Sequence, residues 1–118
     1  MTDAAAGCLF CRIASREIPA KTVFEDEGFI AFEDIHPQAP THILIIPRKH
    51  IPSLDELEPG DAEEVGRLLV RVSEVARARG LQDPGYRVVF NCGEGAGQSV
   101  FHIHAHLLGG RRMGWPPG

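Results

Sequence analysis

The sequence predicts an α+β fold, in which a mainly antiparallel five-stranded sheet is combined with one long and one short helix. The chain has 118 residues, the size of one ordinary domain, and we treat residues 1–118 as a single domain. Short segments with strand-like patterns are frequent, whereas only one segment is long enough to be a helix that connects parallel strands. We therefore expect antiparallel pairing, with the helices on one face of the sheet.

The first third of the chain predicts a short helix followed by a β-hairpin. Residues 8–15 have an apolar side at helical spacing, and Pro19 ends this helix. Residues 22–25 and 29–33 alternate apolar and polar side chains on either side of a turn at residues 27–28. Two alternating segments joined by a short glycine-containing turn are typical of a hairpin.

The middle of the chain predicts a buried strand and then the long helix. The apolar run at residues 42–46, ended by Pro47, is typical of a strand that is buried on both faces. Pro59 suits the first turn of a helix, and Gly80 suits the residue just after its end. Apolar side chains at helical spacing form the expected buried face: Val65, Leu68, Leu69, Val72 and Ala76.

The last third predicts two more strands joined by a glycine-rich loop. Residues 86–91 are rich in β-branched and aromatic side chains, which favour strands. Residues 100–108 also read as a strand, and three glycines lie between the two strands in residues 92–99. Glycines permit positive φ angles and close backbone approach, so this loop could hold phosphate oxygens on its N–H groups, or could be a plain connection.

Charge and hydropathy exclude several classes of partner. The formal net charge is −4 and the basic residues are scattered, so we expect no nucleic acid polymer as a partner. A single nucleotide needs only a few donors and remains a suitable ligand. We expect no membrane span, because no apolar run reaches the required length of about 18 residues. Residues 1–7 lack the basic start and apolar stretch of a signal peptide, so we expect a cytoplasmic protein.

Three histidines recur at every second position, at His102, His104 and His106. Alternate residues of a strand share a face, so the three rings are expected on one surface, roughly 7 Å apart. This row could bind a metal or carry out catalysis. A histidine beside a bound phosphate can attack phosphorus directly, and neighbouring groups can hold one ring neutral for that purpose.

Cys8 and Cys11 form a C-x2-C pair, which is good spacing for two thiolate ligands of zinc. The odd number of cysteines, with Cys92 as the third, argues against a disulfide framework. A redox pair is a weaker alternative, because no thioredoxin-like βαβ pattern surrounds the motif. Two half-buried thiols without a metal are a further alternative.

Residues 98–108 resemble the signature of the histidine triad (HIT) family, His-φ-His-φ-His-φ-φ, where φ is apolar. The resemblance extends over nearly the whole chain, and the additional segments are similar to the Hint branch, the purine nucleoside phosphoramidate hydrolases: residues 18–21, 32–42, 46–50 and 109–118. It implies a HIT-like fold, a homodimer and hydrolysis of purine nucleoside 5′-phosphoramidates at the α-phosphorus through a nucleotidyl-histidine intermediate. No organic cofactor is implied.

The resemblance also implies residue roles. His104 would be the nucleophile, His106 would contact the phosphate and assist the leaving group, and His102 and His42 would orient the other rings. Asp34 would bind the ribose hydroxyls. The remaining nucleotide contacts would be Phe10, Ile18 and Ile35 around the purine, Asn91, Gly97, Gln98 and Ser99 around the phosphate, and Trp115 reaching toward the partner subunit's site.

Many bacterial members of the family resemble this chain at the cysteine pair, which implies a structural zinc ion held by Cys8, Cys11, His50 and His102. Three alternatives to the leading function stay open. The chain could be a dinucleoside polyphosphate hydrolase of the same superfamily, or a non-catalytic nucleotide-binding or scaffold dimer. It could also be a zinc-binding structural module, although that leaves His104 and His106 unexplained.

Overall fold

The structure, a computed structural model, describes residues 7–118. The prediction that residues 1–7 are not a signal peptide therefore lies almost entirely outside the described residues. Residues 7–118 form two helices and five strands with three short 3-10 turns. Their bounds are α1 Leu9–Ala14, β1 Thr22–Glu25, β2 Phe29–Glu33, β3 Thr41–Pro47, α2 Ala62–Ala78, β4 Tyr86–Val89 and β5 Ala105–Gly109.

All five strands belong to one sheet with the order β1-β2-β3-β5-β4. Every pairing is antiparallel, and β3 lies at the centre, with Ala31 opposite Ile45 on one side and Ile43 opposite Leu107 on the other. The predicted α+β class and the five-stranded antiparallel sheet are therefore confirmed. The order also places β5, which contains His106, beside the central strand β3, which carries His42.

The two helices pack on opposite faces of the sheet, so the expectation that both lie on one face is wrong. Ala31, Ile43 and Ile45 belong to the apolar cluster beneath α2. Their neighbours in the two central strands belong to a second cluster with Phe10 and Ile13 of α1: Ile30, Phe32, Leu44 and Ile46. Both faces of β2 and β3 are apolar, and each face therefore requires a covering helix.

Helix α2 follows a 3-10 turn at Pro59–Asp61, where Glu58 and Asp61 form a capping box. Gly80 closes it with φ +71°, which confirms its predicted role. The buried face comprises Leu68, Val72, Val75 and Ala76.

Leu69 is 48 % exposed, so its predicted place in the buried face of α2 is wrong. It lies one residue, or about 100° of helical rotation, beyond Leu68 and outside the stripe. Among residues 7–118, no helix is both long and apolar enough to cross a membrane.

The last two strands are shorter than predicted. Strand β4 ends at Val89, and β5 begins only at Ala105, so residues 100–104 are not a strand. The Ile103 N–H donates to the Ile51 carbonyl at 2.6 Å, outside the strand ladder. The His102 Nε2 atom lies 2.7 Å from the carbonyl oxygen of Pro47, where it can donate. These contacts hold residues 100–104 against the end of β3 and the residues that follow it.

Candidate active site

A groove of about 880 Å³ lies between α1, the end of β2 and the histidine segment. One wall is apolar, and His104 and His106 lie at the polar side with Asp34. The structure thus brings most of the predicted catalytic and nucleotide-binding side chains to one place. The groove is lined by Phe10, Ile18, Asp34, Ile35, Ser99, His104 and His106 of the predicted set, together with Leu9, Ile13, Phe32, Leu44 and others.

The three histidines do not form one row on a strand face. The rings of His104 and His106 both line the groove, with centroids 4.9 Å apart rather than the expected spacing of about 7 Å. His102 is fully buried and turned toward the cysteines of α1. The alternation fails because only His106 lies within β5, and the irregular backbone before it redirects the other two rings.

One hydrogen bond of His104 defines which ring nitrogen carries its proton. The Nδ1 atom of His104 lies 2.7 Å from the carbonyl oxygen of His102, and a carbonyl can only accept. Nδ1 is therefore protonated in the neutral ring, and Nε2 carries the free lone pair. The edge of the Phe10 ring packs against His104 at a centroid distance of 5.0 Å, which fixes the ring orientation from the apolar wall.

A second chain of hydrogen bonds lies behind His106. The backbone N–H of Gln38 donates to Nδ1 of His42 at 3.0 Å, so the neutral His42 ring carries its proton on Nε2. His42 Nε2 lies 3.0 Å from Nδ1 of His106 and 3.4 Å from Oδ2 of Asp34. His106 therefore accepts at Nδ1 and keeps its own proton on Nε2.

Asp34, His42 and His106 also lie close enough together to be considered as a metal site. A metal would require an unprotonated Nε2 on His42, whereas the Gln38 N–H places the proton there. This group therefore acts as a hydrogen-bonded chain. Asp34 is oriented within it, because its Oδ1 accepts from the His36 N–H at 2.7 Å and its Oδ2 faces His42.

Burial keeps the histidines of the groove neutral. Together with the neighbouring rings of His104 and His42, it lowers the pKa of His106 to about 4. Burial also lowers the pKa of His104, against the opposing effects of the His102 carbonyl and the Asp34 charge. It lowers the pKa of His42 as well, and Asp34 again opposes the shift. A neutral His104 has a nucleophilic lone pair.

The glycine-rich loop is held in place by Gln98. This side chain is only 3 % exposed, accepts from the Gly93 N–H at 2.8 Å and donates to the carbonyls of Pro52 and Val100 at 2.8 and 3.2 Å. Both the oxygen and the nitrogen of its amide are used in these contacts, which hold the loop against Pro52, so Gln98 determines the position of the loop rather than presenting its amide to a ligand. Gly97 has φ +95°, a conformation that favours glycine.

A smaller depression of about 530 Å³ adjoins the groove and shares Ser99 with it. Gly97 lies in this depression, not in the groove. Within residues 7–118, Asn91 and Trp115 line neither space, and Trp115 is 83 % exposed. Ile35 is at the rim of the groove and is 85 % exposed.

The cysteine pair meets two histidines beside the groove. His102 Nδ1 lies 3.3 Å from Cys8 Sγ and 3.5 Å from Cys11 Sγ, and His50 Nδ1 lies 3.3 Å from Cys11 Sγ. A tetrahedral zinc ion with bonds of about 2.0–2.3 Å separates its ligand atoms by about 3.3–3.8 Å, in agreement with these distances. Because Nε2 of His102 can donate to Pro47, its Nδ1 is left with a lone pair.

The four donors also fit a cation electrostatically. Burial and the neighbouring Cys8 raise the pKa of the Cys11 thiol to about 12, so two thiolates here require a compensating positive charge. The donor set, the spacing and the tautomer of His102 therefore all suit a zinc ion.

Sequence reasoning missed several contributors to the site. Phe32 and Leu44 line the groove, although their strand pattern predicted only core positions. The available signal was that β2 and β3 carry apolar side chains on both faces, so one of these faces could line a groove. The sequence contains no signal for the contacts made by backbone groups, because nearly every residue carries such groups. These are the N–H of Gln38 and the carbonyls of His102 and Pro47.

The fold and the site geometry agree with comparisons to known proteins. The HIT domain family matches residues 15–113. An uncharacterized HIT-like protein from Synechocystis is 48 % identical over 110 residues, which cover 93 % of this chain and 96 % of that protein.

Two solved structures are similar over nearly the whole chain. A HIT family hydrolase from Legionella pneumophila has 56 % identity and a TM-score of 0.93, with 95 % of this chain and all of that chain covered. A HIT family hydrolase from Clostridium thermocellum has 45 % identity and a TM-score of 0.88, with 92 % and 94 % covered. The match in family, the fold and the paired histidines of the groove lead to one conclusion: the chain belongs to the HIT family.

Proposed function

We propose that this protein is a hydrolase that cleaves purine nucleoside 5′-phosphoramidates at the α-phosphorus through a nucleotidyl-histidine intermediate on His104. The observation that carries the proposal is the hydrogen bond from His104 Nδ1 to the His102 carbonyl, which leaves a neutral ring with its Nε2 lone pair free. That nitrogen belongs to a ring lining the groove, beside His106. The hydrolase activity of the relatives from Legionella pneumophila and Clostridium thermocellum is consistent with it.

The groove has a suitable surface for each part of a nucleotide. The apolar wall of Phe10, Ile18 and Ile35 suits the faces of a purine. The half-buried carboxylate of Asp34 can accept hydrogen bonds from both ribose hydroxyls. Ser99 lies between the groove and the adjoining depression, a suitable position for holding the phosphoryl group while the leaving group occupies the depression.

The reaction would proceed in two displacements. His104 Nε2 attacks the α-phosphorus, the P–Nε2 bond forms, and the P–N bond of the substrate breaks. The amine departs as a neutral molecule when its nitrogen is already protonated in the bound substrate. The positive charge that develops on His104 is stabilised by its Nδ1–H donating to the His102 carbonyl.

In the second displacement, water attacks the phosphorus, the P–Nε2 bond breaks, and the nucleoside monophosphate and one proton are released. The Nε2–H of His106 can donate to a phosphoryl oxygen in both displacements, because its Nδ1 is occupied by His42. His106 is thus assigned as a neutral donor that stabilises developing negative charge.

The test is to incubate the protein with adenosine 5′-phosphoramidate and, separately, with a dinucleoside polyphosphate. We expect faster release of adenosine monophosphate from the phosphoramidate, and no turnover by His104→Ala, which should still bind nucleotide. Rapid quenching should trap a nucleotidyl adduct on the native chain. Preferred cleavage of the dinucleotide would favour the other hydrolase class. Nucleotide binding without any turnover would favour a binding or scaffold protein.

We also propose that Cys8, Cys11, His50 and His102 hold a structural zinc ion. Bound there, zinc would supply a cross-link between α1 and the segment that precedes β5. None of its proposed ligands except His102 has an assigned role in the reaction, and His102 acts there only through its backbone carbonyl. Metal analysis of the purified protein should find about one zinc ion per chain.

The proposed functional unit is a homodimer. Strand β4 is at one end of the described sheet, so one of its edges has no strand partner among residues 7–118. Exposed apolar side chains lie in the same strand and in α2: Tyr86, Leu69 and Val70. Light scattering at several concentrations tests this, and a mass of one chain throughout would contradict it.

A further inference from the structure

The proton arrangement behind His106 depends on the backbone N–H of Gln38, and the Asp34 carboxylate, 3.4 Å from Nε2 of His42, favours the same arrangement. A main-chain amide can only donate, so Gln38 forces His42 to accept at Nδ1 and to carry its proton on Nε2. His42 in turn donates to Nδ1 of His106, and the only proton of His106 is left on Nε2. The chain of bonds therefore determines whether His106 presents an N–H or a lone pair to the groove.

Gln38 lies in an exposed stretch of loop between β2 and β3, and Arg111 holds it there. The Nε–H of Arg111 donates to the Gln38 carbonyl at 2.9 Å, while another guanidinium nitrogen donates to the Arg112 carbonyl at 3.0 Å. Gly110 brings the two segments together. A Cβ added there would lie 2.9 Å from Cβ of Pro40, and the residue has φ +92°.

We propose that Arg111 is a positioning residue: by anchoring the Gln38 backbone, it keeps the donor of Gln38 on His42 and thereby holds His106 as a neutral Nε2–H donor to the phosphoryl group. Arg111 does not line the groove, and it acts through three successive hydrogen bonds. The inference rests on the proposed function for its consequence in catalysis. Its structural part, the tautomer of His42, does not depend on turnover.

Loss of the anchor would permit the opposite arrangement. With Gln38 displaced, His42 can carry its proton on Nδ1 and accept at Nε2, and His106 would then donate from Nδ1. The lone pair on Nε2 of His106 would face the phosphoryl oxygens, which is repulsive. Since a net hydrogen bond contributes about 0.5–1.5 kcal/mol, we expect Arg111→Gln to lower kcat by about 2- to 10-fold, with little change in KM.

The experiment compares Arg111→Gln with Arg112→Gln, which removes the same charge one residue away and leaves the Gln38 contact in place. Long-range ¹⁵N–¹H spectra of histidine-labelled protein report the tautomers of His42 and His106 directly. We expect Nε2–H for both rings in the native chain and in Arg112→Gln. Arg111→Gln should show a mixture, and Arg111→Lys, which keeps a charged donor, should restore the native pattern.

Kinetics provide the second measurement, in a double-mutant cycle with His106→Ala. If Arg111 acts through His106, then Arg111→Gln should lower kcat in the native background and have no effect in the His106→Ala background. A purely structural role predicts the same loss in both backgrounds and would overturn the proposal.

The proposal would also be overturned if Arg111→Gln kept the native tautomers of both rings. The same holds if His42 carried its proton on Nδ1 in the unsubstituted protein. If the unsubstituted chain turns over no phosphoramidate, the proposed function fails, and the spectra alone then decide the role of Arg111.

Discussion

The Nδ1 atom of His104 is 2.7 Å from the backbone carbonyl of His102, while the ring of His102 points away from the groove toward Cys8. His102 therefore contacts both His104, the proposed nucleophile, through its main chain and the cysteine cluster through its side chain. Residues 100–104 must leave the strand pattern for this, since a carbonyl within the ladder would be paired with a neighbouring strand.

The first prediction concerns the cysteine cluster. We expect Cys8→Ser, and removal of metal by a chelator, to lower the unfolding midpoint strongly and to lower the folded fraction and turnover together, because the cluster joins α1 to the segment before His104. Calorimetry, zinc content and activity per folded molecule measure this. Cys92→Ser is the matched control, since Cys92 is outside the cluster, and it should keep its zinc. Lost turnover with fold and nucleotide binding intact would contradict a structural role for the metal.

The second prediction concerns the glycine-rich loop. Gln98→Ala leaves the Gly93 N–H and the carbonyls of Pro52 and Val100 without their side-chain partner. We expect the free energy of unfolding to fall by about 1–3 kcal/mol, with a raised KM because Ser99 loses its support. Urea unfolding and steady-state kinetics measure the two effects. Gln82→Ala, at an exposed position, should change neither, and an unchanged stability in Gln98→Ala would contradict the loop-holding role.

The third prediction concerns the apolar wall of the groove. Phe10 is 5 % exposed and packs edge-on against Phe32 and His104, with centroids 5.4 and 5.0 Å away. Phe10→Ala should cost about 3–5 kcal/mol of stability, as large-to-small core changes do. Phe10→Leu keeps most of the volume, and its main effect should be a higher KM for purine nucleotides. Equal KM values for Phe10→Leu and the native chain would show that a purine does not contact this wall.

The sequence predicted those features of the fold and site that depend on side-chain pattern and composition. The hairpin strands at 22–25 and 29–33 have the predicted bounds, because the turn at residues 27–28 separates two strand-like segments. The expected alternation is wrong for the second strand, whose residues 29–32 are all buried. Cys8, Cys11, His50 and His102 come together as the resemblance implied. Contacts made by backbone groups were not predictable, since they leave no trace in residue type.

The strand predicted at residues 100–108 illustrates this limit. Its alternation of apolar residues and histidines is that of a strand, yet the Ile103 N–H pairs with Ile51 and the His102 carbonyl with His104. Such tertiary contacts outweigh the local pattern. The sequence analysis also did not predict that the two helices lie on opposite faces of the sheet. The apolar runs of β2 and β3 did contain a signal, because a strand that is apolar on both faces needs both faces covered.

The last prediction is a pH dependence of stability. Burial and its neighbouring rings lower the pKa of His106 to about 4 in the folded protein, against an unperturbed value of 6.5. Between these two values the unfolded chain binds more protons at this position than the folded chain, so protons favour unfolding. The contribution of His106 to stability is thus fully present above about pH 6.5, falls as the pH is lowered toward about 4, and is constant below that.

His106→Gln removes the titrating group while keeping a side chain that can both donate and accept hydrogen bonds. The free energy of unfolding, measured with urea between those two pH values, should therefore fall less steeply in His106→Gln than in the native chain. His36→Gln is the matched control, because His36 is exposed and does not line the groove, and of the two variants His106→Gln should have the shallower slope. Equal slopes for His106→Gln and the native chain would mean that His106 is not held neutral by the fold.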